Sequence, residues 1–125
     1  MENKFFICEK CGNIIGMIEP SGVPVVCCGQ KMTKLEAGVV EASREKHIPV
    51  VEIDGNTVKV TVGSVEHPMT AEHYISWIYL ETDCGGQRKA LAPDSKPEAI
   101  FALADEKPIA VYAYCNLHGL WKAEI

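Results

Sequence analysis

The runs IAVYAYC at residues 109–115, NLHG at 116–119 and LWKAE at 120–124 describe two strands joined by a short loop. In the first run Ile109, Val111, Ala113 and Cys115 fall on one face and Ala110, Tyr112 and Tyr114 on the other, the period of two that marks a β-strand. The loop holds a thiol, Cys115, and an imidazole, His118, three residues apart and just ahead of Gly119. Both side chains can therefore turn toward one metal ion. Two ligands do not complete a site, so the rest of the chain must supply the others.

Upstream, the pattern continues as strand. The runs at residues 50–53, 57–62, 73–82, 87–91 and 99–103, with 109–115 and 120–124, make seven short strands. Turn signals separate them: Asp54-Gly55-Asn56, Asp83-Cys84-Gly85-Gly86, and the proline-bearing stretches at 93–97 and 105–108. Val58, Val60 and Val62 alternate with Thr57, Lys59 and Thr61, so one face of that strand is buried. This spacing predicts an all-β, seven-stranded sandwich over residues 37–125, with Trp77 and Trp121 as core aromatics and Cys84 as a turn residue or free thiol.

Residues 1–36 form a separate unit too small to hold together by apolar burial, because chains under ~40 residues usually need a disulfide, a metal or a partner. Cys8-Glu9-Lys10-Cys11-Gly12 is a knuckle between two predicted strands, 4–7 and 14–18, and Cys27-Cys28-Gly29 follows an extended segment at 23–26. Neighbouring side chains of a strand point to opposite faces, so Cys27 and Cys28 can share an ion only where the chain bends, and Gly29 is where a bend costs least. Four thiolates on one metal explain the pattern; a Cys27–Cys28 vicinal disulfide, or crosslinks of the Cys8-to-Cys28 kind, compete with it. A reducing compartment favours the metal. Iron and zinc both accept four thiolates, and spacing does not choose between them.

The net charge is −5 and no basic run is present, which argues against nucleic acid as a partner. The N-terminal stretch lacks the apolar run of about 7 to 15 residues that a signal peptide needs, and no run of ~18 apolar residues could span a membrane. A cytoplasmic protein with no membrane partner is expected.

His47 precedes Ile48-Pro49, His67 precedes Pro68, and His73 opens the predicted strand at 73–82. Taken singly, a histidine is more often a surface or satisfied core residue than a ligand. Here all four sit near turns and one is paired with Cys115. Four imidazoles and a thiolate exceed the tetrahedral set of structural zinc and suit iron, with four nitrogens around an equator, sulfur on the axis and the opposite position open. A thiolate opposite that position pushes electron density onto the metal. Glu45 and Lys46 adjoin His47. Such a pair reads most simply as a solvated charged connector; against that, an acidic protein that attracts a small anion needs a local positive charge, for which Lys46 is the nearest candidate, and Glu45 offers a hard oxygen ligand to the oxidised ion.

The segments CEKCG, VVCCGQKM, EKHIPV, GSVEHPMTAEHYISWI and YCNLHGLWKAE together resemble the desulfoferrodoxins, the two-iron class of superoxide reductases, over essentially the whole chain. The resemblance implies a desulforedoxin-like domain, 1–36, holding iron through Cys8, Cys11, Cys27 and Cys28. It implies an immunoglobulin-like sandwich, 37–125, whose iron takes His47, His67, His73 and His118 equatorially and Cys115 axially. Lys46 matches the substrate-attracting lysine and Glu45 the carboxylate that binds the ferric state. The implied reaction is one-electron reduction of superoxide to hydrogen peroxide in a cytoplasmic homodimer, re-reduced by a rubredoxin-like donor. Zinc can replace iron at the four-cysteine site of a recombinant sample.

Two other readings fit parts of the pattern. One is a rubredoxin-like electron-transfer protein without turnover, its sandwich binding copper; the loop after Cys115 offers His118 but no following Met, which argues against blue copper. The other is a zinc-stapled binding module with incidental histidines, which would be colourless.

Overall fold

The structure, a computed structural model, describes residues 4–39 and 46–125. The chain divides into two compact units, Met1–Glu36 and Ala37–Ile125. All described elements are strands, and among the described residues no helix is long and apolar enough to cross a membrane.

The first unit contains β1 (Lys4–Ile7), β2 (Ile14–Met17), β3 (Val26–Cys27), β4 (Gln30–Lys31) and β5 (Thr33–Lys34). Strand β1 pairs antiparallel with β2 on one side and β5 on the other, and β3 with β4 forms a separate hairpin. Strands β4 and β5 were not expected from the pattern, because two polar residues each are too few to show a period. The expected segment at 23–26 contributes only its last residue to a strand, since Pro24 has no N–H to pair. Among the described residues of this unit the buried apolar side chains are Phe5, Cys8 and Met32. Three such residues cannot order thirty-six, so the unit depends on its cysteines.

The second unit is a β-sandwich, as the alternation predicts. Its strands are β6 (Pro49–Asp54), β7 (Thr57–Val62), β8 (Ile75–Thr82), β9 (Gly85–Ala90), β10 (Glu98–Ala102), β11 (Pro108–Cys115) and β12 (Gly119–Glu124). One sheet has the order β10-β7-β6 and the other β12-β11-β8-β9, all pairs antiparallel. Val58, Val60 and Val62 from β7 and Phe101 from β10 meet Ile78 and Leu80 from β8 and Val111 and Ala113 from β11 in one core. Each of the Val, Ile, Leu and Phe side chains among them contributes roughly 1.5 to 3 kcal/mol of burial.

Two hairpins show how the turns set register. Asp54 faces Thr57 across Gly55-Asn56, with Gly55 at φ 60°, the positive φ that a two-residue type II′ loop takes at its first central position. Thr82 faces Gly85 across Asp83-Cys84, so the expected four-residue turn is shorter and β9 begins two residues early. Gly86 fits that strand because it has no Cβ, which would run into the Tyr79 hydroxyl. The strand expected to open at His73 begins at Ile75, since Thr70 and His73 close a tight turn through Thr70 N–H to His73 O at 2.9 Å. Strand β11, flanked by β8 and β12, is buried on both faces; on the face away from the core, the Tyr112 hydroxyl donates to buried Glu81 at 3.3 Å.

Candidate metal centres

In the first unit the knuckle closes through Gly12 N–H to Cys8 O, 2.8 Å, with Gly12 at φ 84°. The second cysteine pair bends as its chemistry demands. Cys28 at φ 53° and Gly29 at φ 75° form the two-residue loop of the β3–β4 hairpin, between paired Cys27 and Gln30. A left-handed residue that is not Gly is uncommon, and here it turns the Cys28 thiol back beside that of Cys27. The four sulfurs lie within 4.8 Å of one another and none is in a disulfide. Cys11 Sγ and Cys27 Sγ are 3.7 Å apart. Two thiolates bound tetrahedrally at ~2.3 Å stand about 3.8 Å apart, so the spacing fits one ion.

The thiols are unequal before any ion binds. The Cys11 backbone N–H pulls Cys8 down to about 6, whereas hydrogen bonds shared with the neighbouring sulfurs, Cys11 first, push Cys28 up to about 12. Cys27 is raised as well, chiefly by Cys8. A metal taking all four sulfurs must therefore displace protons.

In the second unit the candidate residues hang from strand ends at one edge of the sandwich. Pro49 opens β6 opposite Val62, where β7 ends, and Ile75 opens β8 opposite Cys115, where β11 ends. His47 precedes β6, His67 follows β7, His73 precedes β8, and His118 lies between β11 and β12. Residues scattered along the sequence thus converge because antiparallel pairing returns each strand to the same end.

The four imidazoles form a near-square. Neighbouring ring centroids are 4.8 Å apart for His47 and His67, 4.7 Å for His67 and His73, 5.0 Å for His73 and His118, and 4.9 Å for His118 and His47. The diagonal from His47 to His73 is 6.5 Å. Each ring stands edge-on to the next, at 66° to 80°. Donor atoms of His47, His67, His73 and Cys115 lie within 4.8 Å of one another, and His118 Nδ1 is 3.1 Å from His47 Nε2 and 3.8 Å from Cys115 Sγ. Two nitrogens bound side by side at ~2.1 Å lie about 3.0 Å apart, which the 3.1 Å separation matches.

The protonation states suit a ligand role. His67 Nδ1–H donates to Pro68 O at 2.7 Å, which leaves Nε2 as the lone-pair nitrogen, directed inward. That Nε2 and the Nε2 of His73 are buried without a hydrogen-bond partner, a costly state that an ion relieves. Burial lowers His67 to about 4 and also lowers His73, on which the charges of His118, His47 and Lys46 act in the same direction. Both rings are neutral at pH 7, as metal ligands must be. Lys46 is exposed beside His47, and its charge reaches the site; Glu45 lies outside the described residues.

Two residues that sequence reasoning did not assign to the site belong to its frame. Asn116 Oδ1 accepts from Tyr74 N–H and Asn116 Nδ2–H donates to Glu72 O, both at 2.9 Å, tying the Cys115–His118 loop to the turn that carries His73. Trp121 is half-buried, not a core residue: its ring stacks on His47 at 4.9 Å and 21°. Trp77 is buried as expected and stacks on Tyr114. Cys84 is exposed in its turn, 4.0 Å from Glu106 Oε2.

The fold and the two side-chain groups define an all-β protein of two units, one with four thiols and one with four imidazoles and a thiol able to hold a metal ion. The desulfoferrodoxin family profile matches residues 39–124, and the profile of the desulfoferrodoxin N-terminal domain matches residues 1–35. The desulfoferrodoxin of Nitratidesulfovibrio vulgaris is 45% identical over 126 residues, covering 99% of both chains. The crystal structure of the superoxide reductase from Treponema pallidum superposes with a TM-score of 0.85 at 43% identity, covering 98% of both chains. A superoxide reductase (1Fe-SOR) from Giardia intestinalis gives a TM-score of 0.57 at 35% identity, over 65% of this chain and 97% of that one. The chain belongs to the desulfoferrodoxin family.

Proposed function

We propose that the chain is a superoxide reductase, which converts superoxide, one electron and two protons into hydrogen peroxide as a defence against oxidative stress. The near-square of four imidazoles beside the Cys115 thiol carries this reading. His47, His67 and His73 through Nε2, His118 through Nδ1 and Cys115 through Sγ would hold iron. Bound there, a ferrous ion supplies the single electron, with a thiolate ligand that favours its release.

The chain's own residues bring substrate to that ion. At a net charge of −5 the global field repels superoxide, and Lys46, exposed beside His47, supplies the local attraction. Its ammonium also holds water near the site, a proton source for the product. Glu45 would be the carboxylate that binds the ion once it is oxidised. The indole of Trp121 covers His47, keeping water from that imidazole.

The first unit would hold a second iron through Cys8, Cys11, Cys27 and Cys28, replaceable by zinc in a recombinant sample. Six free thiols suit a reducing compartment, in keeping with a cytoplasmic protein. A rubredoxin-like donor returns the electron, and the chain works as a homodimer. The test is rapid mixing of the reduced, iron-loaded chain with superoxide. Peroxide formed without dioxygen supports reduction. Peroxide and dioxygen in equal amounts mean dismutation, and no reaction leaves an electron carrier.

A further inference from the structure

We propose that Trp121 is the positioning residue that sets His47 and His118 at their mutual distance, and so fixes one edge of the metal centre. The inference rests on the metal-binding reading above and extends it to a residue outside the ligand set.

The indole makes three different contacts, each to a part of the chain that the ligand geometry depends on. Its ring stacks on His47, 4.9 Å between centroids and 21° between planes. Its Nε1–H donates to the backbone O of His118 at 3.2 Å. Its six-membered ring lies against Gly38, where an added Cβ would stand 2.6 Å from Cζ3 and 2.7 Å from Cε3. Gly38 is itself held on either side of Trp121, through Gly38 N–H to Leu120 O and Lys122 N–H to Gly38 O, both 2.9 Å.

These contacts have a joint effect. The stack fixes the plane of the His47 ring, and the indole N–H fixes the loop that presents His118. Those two imidazoles are the pair whose nitrogens stand 3.1 Å apart. The ring thus meets both Gly38 and His47. Only Gly at position 38 lets the indole lie that close. Partners behind the ligands matter to a metal site because they orient donor atoms that would otherwise lose entropy on binding.

The experiment compares the native full-length chain with W121F, which keeps a ring to stack on His47 but has no N–H for His118 O, and with W121A, which keeps neither. Ferrous iron is the probe, its affinity and loss to a competing chelator followed by metal analysis, and the thiolate-to-iron absorption of the second unit is recorded after oxidation to the ferric state. The absorption of the four-cysteine centre in the same chain is the internal control. Iron binding at the His/Cys centre should weaken by about 10- to 100-fold in W121A and by less in W121F, with a shifted absorption band, while the four-cysteine band stays unchanged. Native-like affinity and band position in W121F and W121A alike would overturn the proposal. A native chain showing no such band at all would sink the metal-centre reading itself, a different failure. If W121A does not fold, W121F with a native band and native affinity still refutes the role of the indole N–H.

Discussion

Acidification should destabilise the metal-free second unit through its buried imidazoles. His67 is 2% exposed, and burial holds its folded pKa at about 4, against 6.5 for an ordinary histidine. Between those values the unfolded chain takes up a proton that the folded chain refuses, so stability present above 6.5 is lost progressively as the pH falls toward 4. Each pH step of one costs about 1.4 kcal/mol, so His67 alone removes about 3 kcal/mol across the window, a large part of a typical 5 to 15. His73 is shifted in the same direction. Urea unfolding of the chelator-stripped full chain, at several pH values from 7.5 to about 4.5, measures this. Both tryptophans, Trp77 and Trp121, lie in the second unit, so their fluorescence reports it alone. The midpoint should fall by roughly 1 to 3 M urea. H67Q should lose at least half of that fall. A midpoint falling as steeply in H67Q as in the native chain would refute the assignment of the buried proton deficit to His67.

Other outcomes follow from the same geometry. Lys46→Ala should slow the second-order reaction with superoxide and flatten its dependence on ionic strength, measured by rapid mixing at several salt concentrations; an unchanged rate removes Lys46 from substrate capture. Asn116→Ala gives up two hydrogen bonds between the loops carrying Cys115 and His73, at a cost of about 1 to 2 kcal/mol. Thermal unfolding should show a fall of several degrees together with a shifted thiolate-to-iron band. Cys28→Ser should strip the ion from the first unit, seen as one iron per chain by metal analysis, yet leave superoxide reduction by the second unit intact. Loss of both irons would contradict the separation of the two groups.

The sandwich was legible because β7, TVKVTV, alternates without interruption and its buried valines coincide with the expected face. The convergence of the histidines was legible only as a pattern of ligands near turns; the square itself depends on strand registers that no local spacing encodes. The Cys27–Cys28 pair demanded a bend, and the bend occurs, but it takes Cys28 as well as Gly29 into left-handed backbone, a choice the hairpin makes and the residue type does not advertise. Trp121 was misplaced in the core because an apolar aromatic in a strand next to a buried Leu120 has the same pattern whether it faces the interior or a ligand. Asn116 left no signal beyond a turn-forming residue, since its amide imitates a strand partner that only the folded pairing reveals.

In the proposed reductase, side chains from both sheets surround a single iron ion with one side left free. Anomalous diffraction at the iron edge, on crystals of the reduced protein, tests this most directly. The expected result is one strong peak in the second unit touching Nε2 of His47, His67 and His73, Nδ1 of His118 and Sγ of Cys115, with no protein atom facing it opposite the sulfur. A peak that leaves any of those imidazoles unattached, or an ion enclosed on every side, would contradict it.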